Sequence, residues 1–346
     1  MRIIMSKRDI LKKLGISLIT LLCLTALLLF IFRDNLEDIS AAFMKLSPAD
    51  ILWLFILGIS YQMLDGLACW FLVRTSVPAF PYHQALAFVY LGIFGRTSTF
   101  GAGTIPMRAY YLHRCGIDVG QGVGIMTFSY VLHKVTVVIY VSVLLLAERN
   151  WFRSAIPNLH SYLITGYLIC LAVVCLLMLL CSWHRAHESA LWLTGKLPNT
   201  EKWSGIKHKI QQQLDCLYHA TAVYLKNKKA VLKAVFTNVI KLGILCAVPY
   251  ICMNISGTNV ISFTHTELLT ALVLLLASAV PNVAGIGPTE AAFYLIYSPL
   301  IGSVITTSSL LLFRIATYYF PFFVSVIVFL VVQARLLSNG KSEEVQ

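Results

Sequence analysis

The stretch Ala102-Gly-Thr-Ile-Pro-Met-Arg-Ala109 returns, in altered form, as Ala284-Gly-Ile-Gly-Pro-Thr-Glu-Ala291. Ala, Gly, Pro and the final Ala coincide, and the seventh position is Arg108 in one copy and Glu290 in the other. Each copy interrupts an apolar region. Gly and Pro break helical hydrogen bonding there, and an ionisable side chain is costly in hydrocarbon. Such a break is tolerated only where the backbone is buried in protein or lines a wet cavity. Both copies therefore predict two short helices meeting at a turn. The expected turn residues are Gly101, Gly103 and Pro106 in the first copy, and Gly285, Gly287 and Pro288 in the second.

The regions around the two copies are those of a membrane protein. Hydrophobic residues make up 58% of the 346 and charged residues only 12%, with a mean hydropathy of +0.78. A soluble domain has no use for that much apolar surface, and several runs reach the ~20 residues that cross a bilayer. The first, Leu14–Phe32, has no clear small-residue cleavage site before Arg33 and reads as a retained span. The net charge of +12 is accounted for by Lys and Arg on cytoplasmic flanks, and no recognition motif points to nucleic acid. Nine cysteines, with no Cys-x-x-Cys, form no framework. They read as small buried hydrophobes, and neither a metal nor a cofactor is expected.

Charge sets the orientation. Residues 1–13 carry Arg2, Lys7, Arg8, Lys12 and Lys13 against Asp9, which places them in the cytoplasm. Residues 33–50 carry Asp34, Glu37, Asp38 and Asp50 against two basic residues and fit the outside, so Ile51–Val73 crosses back. Residues 184–233 hold nine Lys/Arg and three acids and belong inside. Working back through spans at 162–183 and 120–146, residues 83–118 must begin and end in the cytoplasm. The mirrored argument holds for 231–253 and 303–332, which leaves residues 266–300 beginning and ending outside. The expected fold is thus an all-α polytopic membrane protein with six full spans and two oppositely oriented re-entrant hairpins, eight hydrophobic segments in one transmembrane domain over 1–346. A first repeat at 51–147 and a second at 231–332 would be related by inversion, an arrangement that builds midplane sites in transporters. The span at 162–183 and a cytoplasmic connector at 184–230 join them. In that connector Ile206, Ile210, Leu214, Leu217 and Tyr218 recur at helical spacing opposite Lys207 and Lys209. This predicts an amphipathic helix, either on the inner membrane surface or as a solvated linker where a pathway enzyme docks.

Gly285-Ile-Gly-Pro-Thr-Glu290-Ala-Ala, followed by Phe313-Arg314-Ile-Ala-Thr-Tyr318-Tyr-Phe-Pro321, resembles the second-half signature of the lysylphosphatidylglycerol synthase transmembrane-region family. Gly103–Arg114, with Arg108-Ala-Tyr-Tyr-Leu112, is similar to a looser segment of its first half. The resemblance spans roughly residues 10–335. It implies a flippase-like membrane protein that handles phospholipids or lipid-linked glycans. Two departures bear on the substrate. Thr104 stands where the family pattern has an acid, and His133-Lys134 stands where it has an acidic-Arg pair. With no aminoacyltransferase domain, the resemblance implies a translocating module and not an enzyme.

The residues that would bind a headgroup are those most costly in lipid. Arg108 follows Pro106 at a half-helix start, where its guanidinium and free backbone N–H groups could cradle a phosphate, or where it could snorkel to headgroups. Glu290 lies at the other half-helix start, a favourable place for a carboxylate. Arg314, a third of the way along the last span, needs a partner, and Glu290 is the candidate. Lys134 and Lys241 are further intramembrane cations, and Asp65 with Lys134 would neutralise each other if they face. Tyr318, Tyr319 and Phe320, before Pro321, are expected to pack a kinked last helix. The expected function is movement of a phospholipid, anionic or aminoacylated, or of a lipid-linked headgroup, across the cytoplasmic membrane, with both termini inside. The alternatives are a membrane glycosyltransferase or lipid-modifying enzyme using Glu37 and Asp38, and a non-catalytic pathway subunit.

Overall fold

The computed structural model describes residues 46–99, 101–196, 201–255, 260–280 and 287–343, and every regular element among them is a helix. Five are long and apolar enough to cross a membrane: α1 (Pro48–Val73), α4 (Val119–Ala147), α6 (Pro157–Ser182), α9 (Lys228–Ile255) and the rod Ser303–Arg335. They lie where five of the six expected spans lie. The expected span at Leu14–Phe32 is outside the described residues, as is Gly285.

Local chemistry starts these helices where they start. Ser47 and Asp50 form a reciprocal cap on α1, with the Ser47 N–H donating to Asp50 Oδ2 at 2.9 Å and the Asp50 N–H to Ser47 Oγ at 3.2 Å. Pro48 occupies the first helical position, where a missing N–H costs nothing. Asp118 caps α4 through the Gly120 N–H at 2.8 Å. A short helix, α5 (Arg149–Ala155), fills the segment between α4 and α6, and Pro157 opens α6 directly after it.

Between the spans lie two pairs of shorter helices. The first pair is α2 (Tyr82–Ser98) and α3 (Thr104–Arg114); the second is α10 (Phe263–Ala277) and α11 (Pro288–Ile301). The members of each pair pack on each other. In the first pair Gly101 adopts φ 103°, closed to most side chains. Thr99 then ties the turn, donating to the Gly95 carbonyl at 2.8 Å and accepting the Gly103 N–H. The two backbones approach so closely that a Cβ on Gly95 would sit 2.5 Å from the Gly103 carbonyl oxygen. In the second pair Gly287 has φ 105° and Pro288 takes the first helical position.

The last rod consists of α12 (Ser303–Arg314), a π-helical segment Ile315–Tyr319 and α13 (Phe320–Glu343). The Phe320 N–H donates to the Ile315 carbonyl, one residue further back than an α-helix allows. Pro321 follows at once. It has no N–H to give and its ring crowds the preceding turn, which accounts for the wider winding. The expected aromatic packing is present: Tyr318 is buried and Phe320 stacks on Phe55 at 4.3 Å.

Two apolar cores result. One gathers α4, α9, α10, α11 and α12 around Val141, Cys246, Leu272, Phe293 and Tyr297. The other gathers α2, α3, α4 and α13 around Phe88, Phe94, Leu112, Ile125 and Phe329, with Phe94 stacked on Phe329 at 4.1 Å. The most extensive contact between helices is α1 on α9.

The connector is helical over most of the stretch where the amphipathic helix is expected. It forms two helices, α7 (His184–Gly195) and α8 (Glu201–Tyr224). The second half of the α8 stripe turns onto protein, not lipid. Leu217 packs with Val131 and Cys181, and Tyr224 stacks on Phe128 at 5.2 Å. His187 Nε2 meets Asp215 Oδ1 at 3.1 Å, fastening α7 to α8.

Candidate functional site

A cavity of about 280 Å³ opens where the two helix pairs meet α1, α9 and the π segment. Its walls are unusually polar for a membrane interior. Asp65 and Gln62 come from α1, Arg96 from α2, Arg108 from α3, and Arg314 from the end of α12. Ser278, Thr289 and Thr317 add hydroxyls from the second pair and the π segment.

Two ion pairs frame the cavity. Lys241 Nζ donates to Asp65 Oδ1 at 2.6 Å; the Lys241 side chain is 3% exposed and that of Asp65 30% exposed, so the carboxylate faces the cavity and the ammonium stands behind it. Arg314 Nη2 meets Glu290 Oε1 at 2.6 Å, with both side chains largely buried. The other Glu290 oxygen, Oε2, accepts the Gly287 N–H at 2.7 Å. One carboxylate thus caps α11 and anchors the last rod.

Arg96 and Arg108 are differently placed. No carboxylate among the described residues lies within ion-pair distance of either, and their buried Nε atoms have no hydrogen-bond acceptor. Aromatic faces hold them instead. The Arg108 guanidinium lies 4.7 Å from the centre of the Phe88 ring. Tyr318 sits between two arginines, its ring centre 5.9 Å from Arg96 Cζ and 5.8 Å from Arg314 Cζ. A cation–π contact contributes about 0.5–2 kcal/mol, less than the several kcal/mol that a guanidinium loses on leaving water. The cavity therefore carries more positive charge than its own carboxylates offset, and an anion with several oxygens is the complementary guest. A planar guanidinium grips such a group through two parallel N–H donors.

The structure brings Arg108, Arg314, Glu290 and Lys241 to this cavity or its immediate wall. Lys134 is not brought there. Its ammonium lies 5.2 Å from the Tyr130 ring, and it does not pair with Asp65, whose partner is Lys241 on α9. The turn that precedes α3 uses its own backbone donors. The Gly103 N–H goes to Thr99, the Gly101 N–H to the Arg96 carbonyl at 2.7 Å and the Ala102 N–H to the Thr99 carbonyl at 3.2 Å. The N–H groups of the first turn of α3 itself, at Thr104 and Ile105, carry no side-chain cap. Gly101 and Gly103 form the first turn as expected, whereas Pro106 lies within the first turn of α3.

Two residues escape a reading of the sequence. Arg96 lies six residues before Ala102, inside the apolar arm, and the rule that singles out Arg108 applies to it equally. Glu267 stands one residue before the apolar run Leu268–Val280; it is buried and accepts the Tyr140 hydroxyl at 2.5 Å. Among the described residues no cluster of His, Cys, Asp and Glu has the make-up of a metal site.

Beyond the geometry, the chain can be placed among known proteins. The model of the family described as lysylphosphatidylglycerol synthase TM region matches residues 13–325. Comparison with curated proteins gives no match.

Proposed function

The chain belongs to the lysylphosphatidylglycerol synthase transmembrane-region family, a family of multi-pass membrane proteins, and from that premise we propose that it moves a phosphate-bearing lipid headgroup across the membrane. The headgroup passes through the arginine-lined cavity while the acyl tails stay in the bilayer. One observation carries this reading: Arg96 and Arg108 face the cavity with no carboxylate of their own among the described residues. A phosphate supplies the missing charge, and a polar gap of this kind lowers the barrier to moving a headgroup through hydrocarbon.

In the same reading the two helix pairs are re-entrant hairpins entering from opposite faces. Their lengths support it. At about 1.5 Å per residue the 11 residues of α3 and the 14 of α11 fall well short of a ~30 Å hydrocarbon core. The repeats 51–147 and 231–332 are then related by inversion. Each contributes one hairpin to a single site, the plan by which alternating access arises. The cytoplasmic membrane is the proposed location, with both termini inside and the connector helices α7 and α8 on the cytoplasmic side, where a pathway enzyme could dock. The protein is a translocator and not an enzyme; Glu37 and Asp38, the acids of the alternative, lie outside the described residues.

The test is headgroup translocation in liposomes holding the purified protein, with labelled anionic, aminoacylated and zwitterionic phospholipids. Wild type is expected to move lipids that present a phosphate to the arginines. Arg96→Gln is expected to slow that movement at least about tenfold without loss of folded protein. Equal movement by the folded variant would remove the cavity from the path. Unchanged movement by Glu37→Gln with Asp38→Asn is expected, and loss there would favour the enzyme reading.

A further inference from the structure

The start of the second helix pair carries a fastening that the cavity does not use. His265 is the third residue of α10, and its Nε2 lies 3.1 Å from Oε2 of Glu148, the residue between α4 and α5. The same imidazole lies flat on the Trp151 indole of α5, with ring centres 3.6 Å apart and planes 6° from parallel. A carboxylate thus meets the ring at its edge and an aromatic face covers it, both from outside the helix pair. The ion pair keeps a path to water, the His265 side chain being 20% exposed and that of Glu148 25% exposed. Among the described residues no other histidine fastens a helix pair to a carboxylate. His184 and His187 meet Glu188 and Asp215 within the connector.

Both contacts respond to one proton in the same direction. A neutral imidazole gives Glu148 an ordinary hydrogen bond, whereas an imidazolium gives a charge-assisted one, roughly twice as strong. The indole face also attracts a cation more than a neutral ring. A histidine opposite a carboxylate therefore holds more firmly in acid and loosens as pH rises through the imidazole range, about pH 5 to 8. The carboxylate must stay ionised, so the gain ends near the carboxylate range, at about pH 4. The other titratable groups around α10 are engaged elsewhere. Glu267 meets Tyr140 of α4, Tyr297 of α11 meets Thr270, and Cys170 of α6 meets the Leu275 carbonyl. On α9, Tyr250 packs edge-on against Phe263, and Cys246 and Cys252 lie in the apolar core. Arg149 and Arg153 of α5 are exposed.

We propose that His265, Glu148 and Trp151 form a proton-operated latch: when the imidazole takes up a proton, the start of α10 is held more tightly against α4 and α5, and the second helix pair opens less readily. One unbroken helix of 15 residues joins the latch to Ser278 in the cavity wall. What restrains its start restrains its end. The effect on lipid movement rests on the function proposed above; the latch itself does not.

The test is hydrogen–deuterium exchange of the full chain in detergent, read on the amides of residues 266–270, at about pH 5.5 and about pH 8. Wild type is compared with His265→Gln and with Glu148→Gln at the same pH, so the pH dependence of exchange itself cancels. In acid the wild-type amides are expected to exchange at least about fivefold more slowly than those of either variant, and at the higher pH to differ by less than about twofold. Trp151→Leu removes the stack and neither titrating group, and is expected to reduce the acid protection. Melting curves keep the comparison to folded protein, and either of the first two variants alone decides it. In liposomes, wild type is expected to move lipid at least about threefold more slowly in acid, and His265→Gln to change by less than about twofold. Equal protection at both pH values, or acid protection retained by the variants, would overturn the latch. Acid protection with lipid movement that ignores pH would overturn its control of opening. Movement of no lipid at either pH would count against the proposed function, and exchange alone would then decide the latch.

Discussion

The Arg108 guanidinium lies in the space that a side chain on Gly92 would fill: its Cζ is 2.7 Å from where a Cβ on Gly92 would stand. The absence of a side chain on α2 is what lets an arginine from α3 reach the cavity wall across Phe88. The obstructing atoms belong to the tip of a flexible side chain, so Gly92→Leu displaces Arg108 while the backbone stays in place. Gly92→Leu should therefore fold, with a melting temperature near that of wild type. In liposomes it should move phosphate-bearing lipid about as poorly as Arg108→Gln. A variant that transports at the wild-type rate would separate Arg108 from the path.

Glu290 and Arg314 form a buried pair, and removing one partner strands the other. Glu290→Gln and Arg314→Gln should each lower stability by about 3–5 kcal/mol, while the double change should cost less than either alone. Thermal unfolding in detergent, followed by size-exclusion of the remaining folded protein, measures this directly. Additive losses would mean that the 2.6 Å contact contributes nothing through pairing.

A second cycle applies to Asp65 and Lys241. Asp65→Asn leaves an ammonium with 3% exposed side chain unopposed and should destabilise strongly; Lys241→Met added to it should restore most of the loss. Lys134→Gln, outside the cavity, should change lipid movement by less than about twofold, within the scatter expected of a residue remote from the site. A large transport loss in a folded Lys134→Gln protein would contradict the placement of Lys134 at Tyr130.

Gly58 on α1 faces the Ala316 carbonyl of the π segment so closely that a Cβ there would collide with the oxygen and lie 3.2 Å from the carbonyl carbon. Backbone cannot swing aside as a side-chain tip can. Gly58→Val should cost about 1–3 kcal/mol by overpacking and lower the melting temperature. An unchanged melting temperature would show that α1 and the π segment are not held at this distance.

The spans are legible in the sequence because each is a long apolar run, with Lys and Arg gathered on the cytoplasmic flanks. The turns are legible because Gly and Pro have few other uses in such runs. Partner choice is less legible. Asp65 can be seen to need a cation, but helical spacing does not say whether α4 or α9 stands opposite it, so Lys134 and Lys241 look equivalent until the bundle is assembled. Arg96 is hidden by its apolar neighbours, although the cost of its charge is the same as that of Arg108. The connector reads as one amphipathic helix because its stripe is real, but the same stripe suits a helical neighbour as well as a lipid surface. The π winding has no compositional signature beyond Pro321.

That winding has a consequence for how the last rod can change. A π turn inserts one residue into the phase of a helix, so α12 and α13 present faces offset from each other by about 100°. Before the offset Phe313 and Arg314 point to the second helix pair; after it Phe329 meets Phe94 of the first. Deleting a single residue between Ile315 and Tyr319 would restore regular winding and rotate everything beyond it, carrying Phe329 off Phe94. The rod therefore works as a gear with a fixed tooth count: side chains can be exchanged along it, but its length between Arg314 and Phe329 cannot.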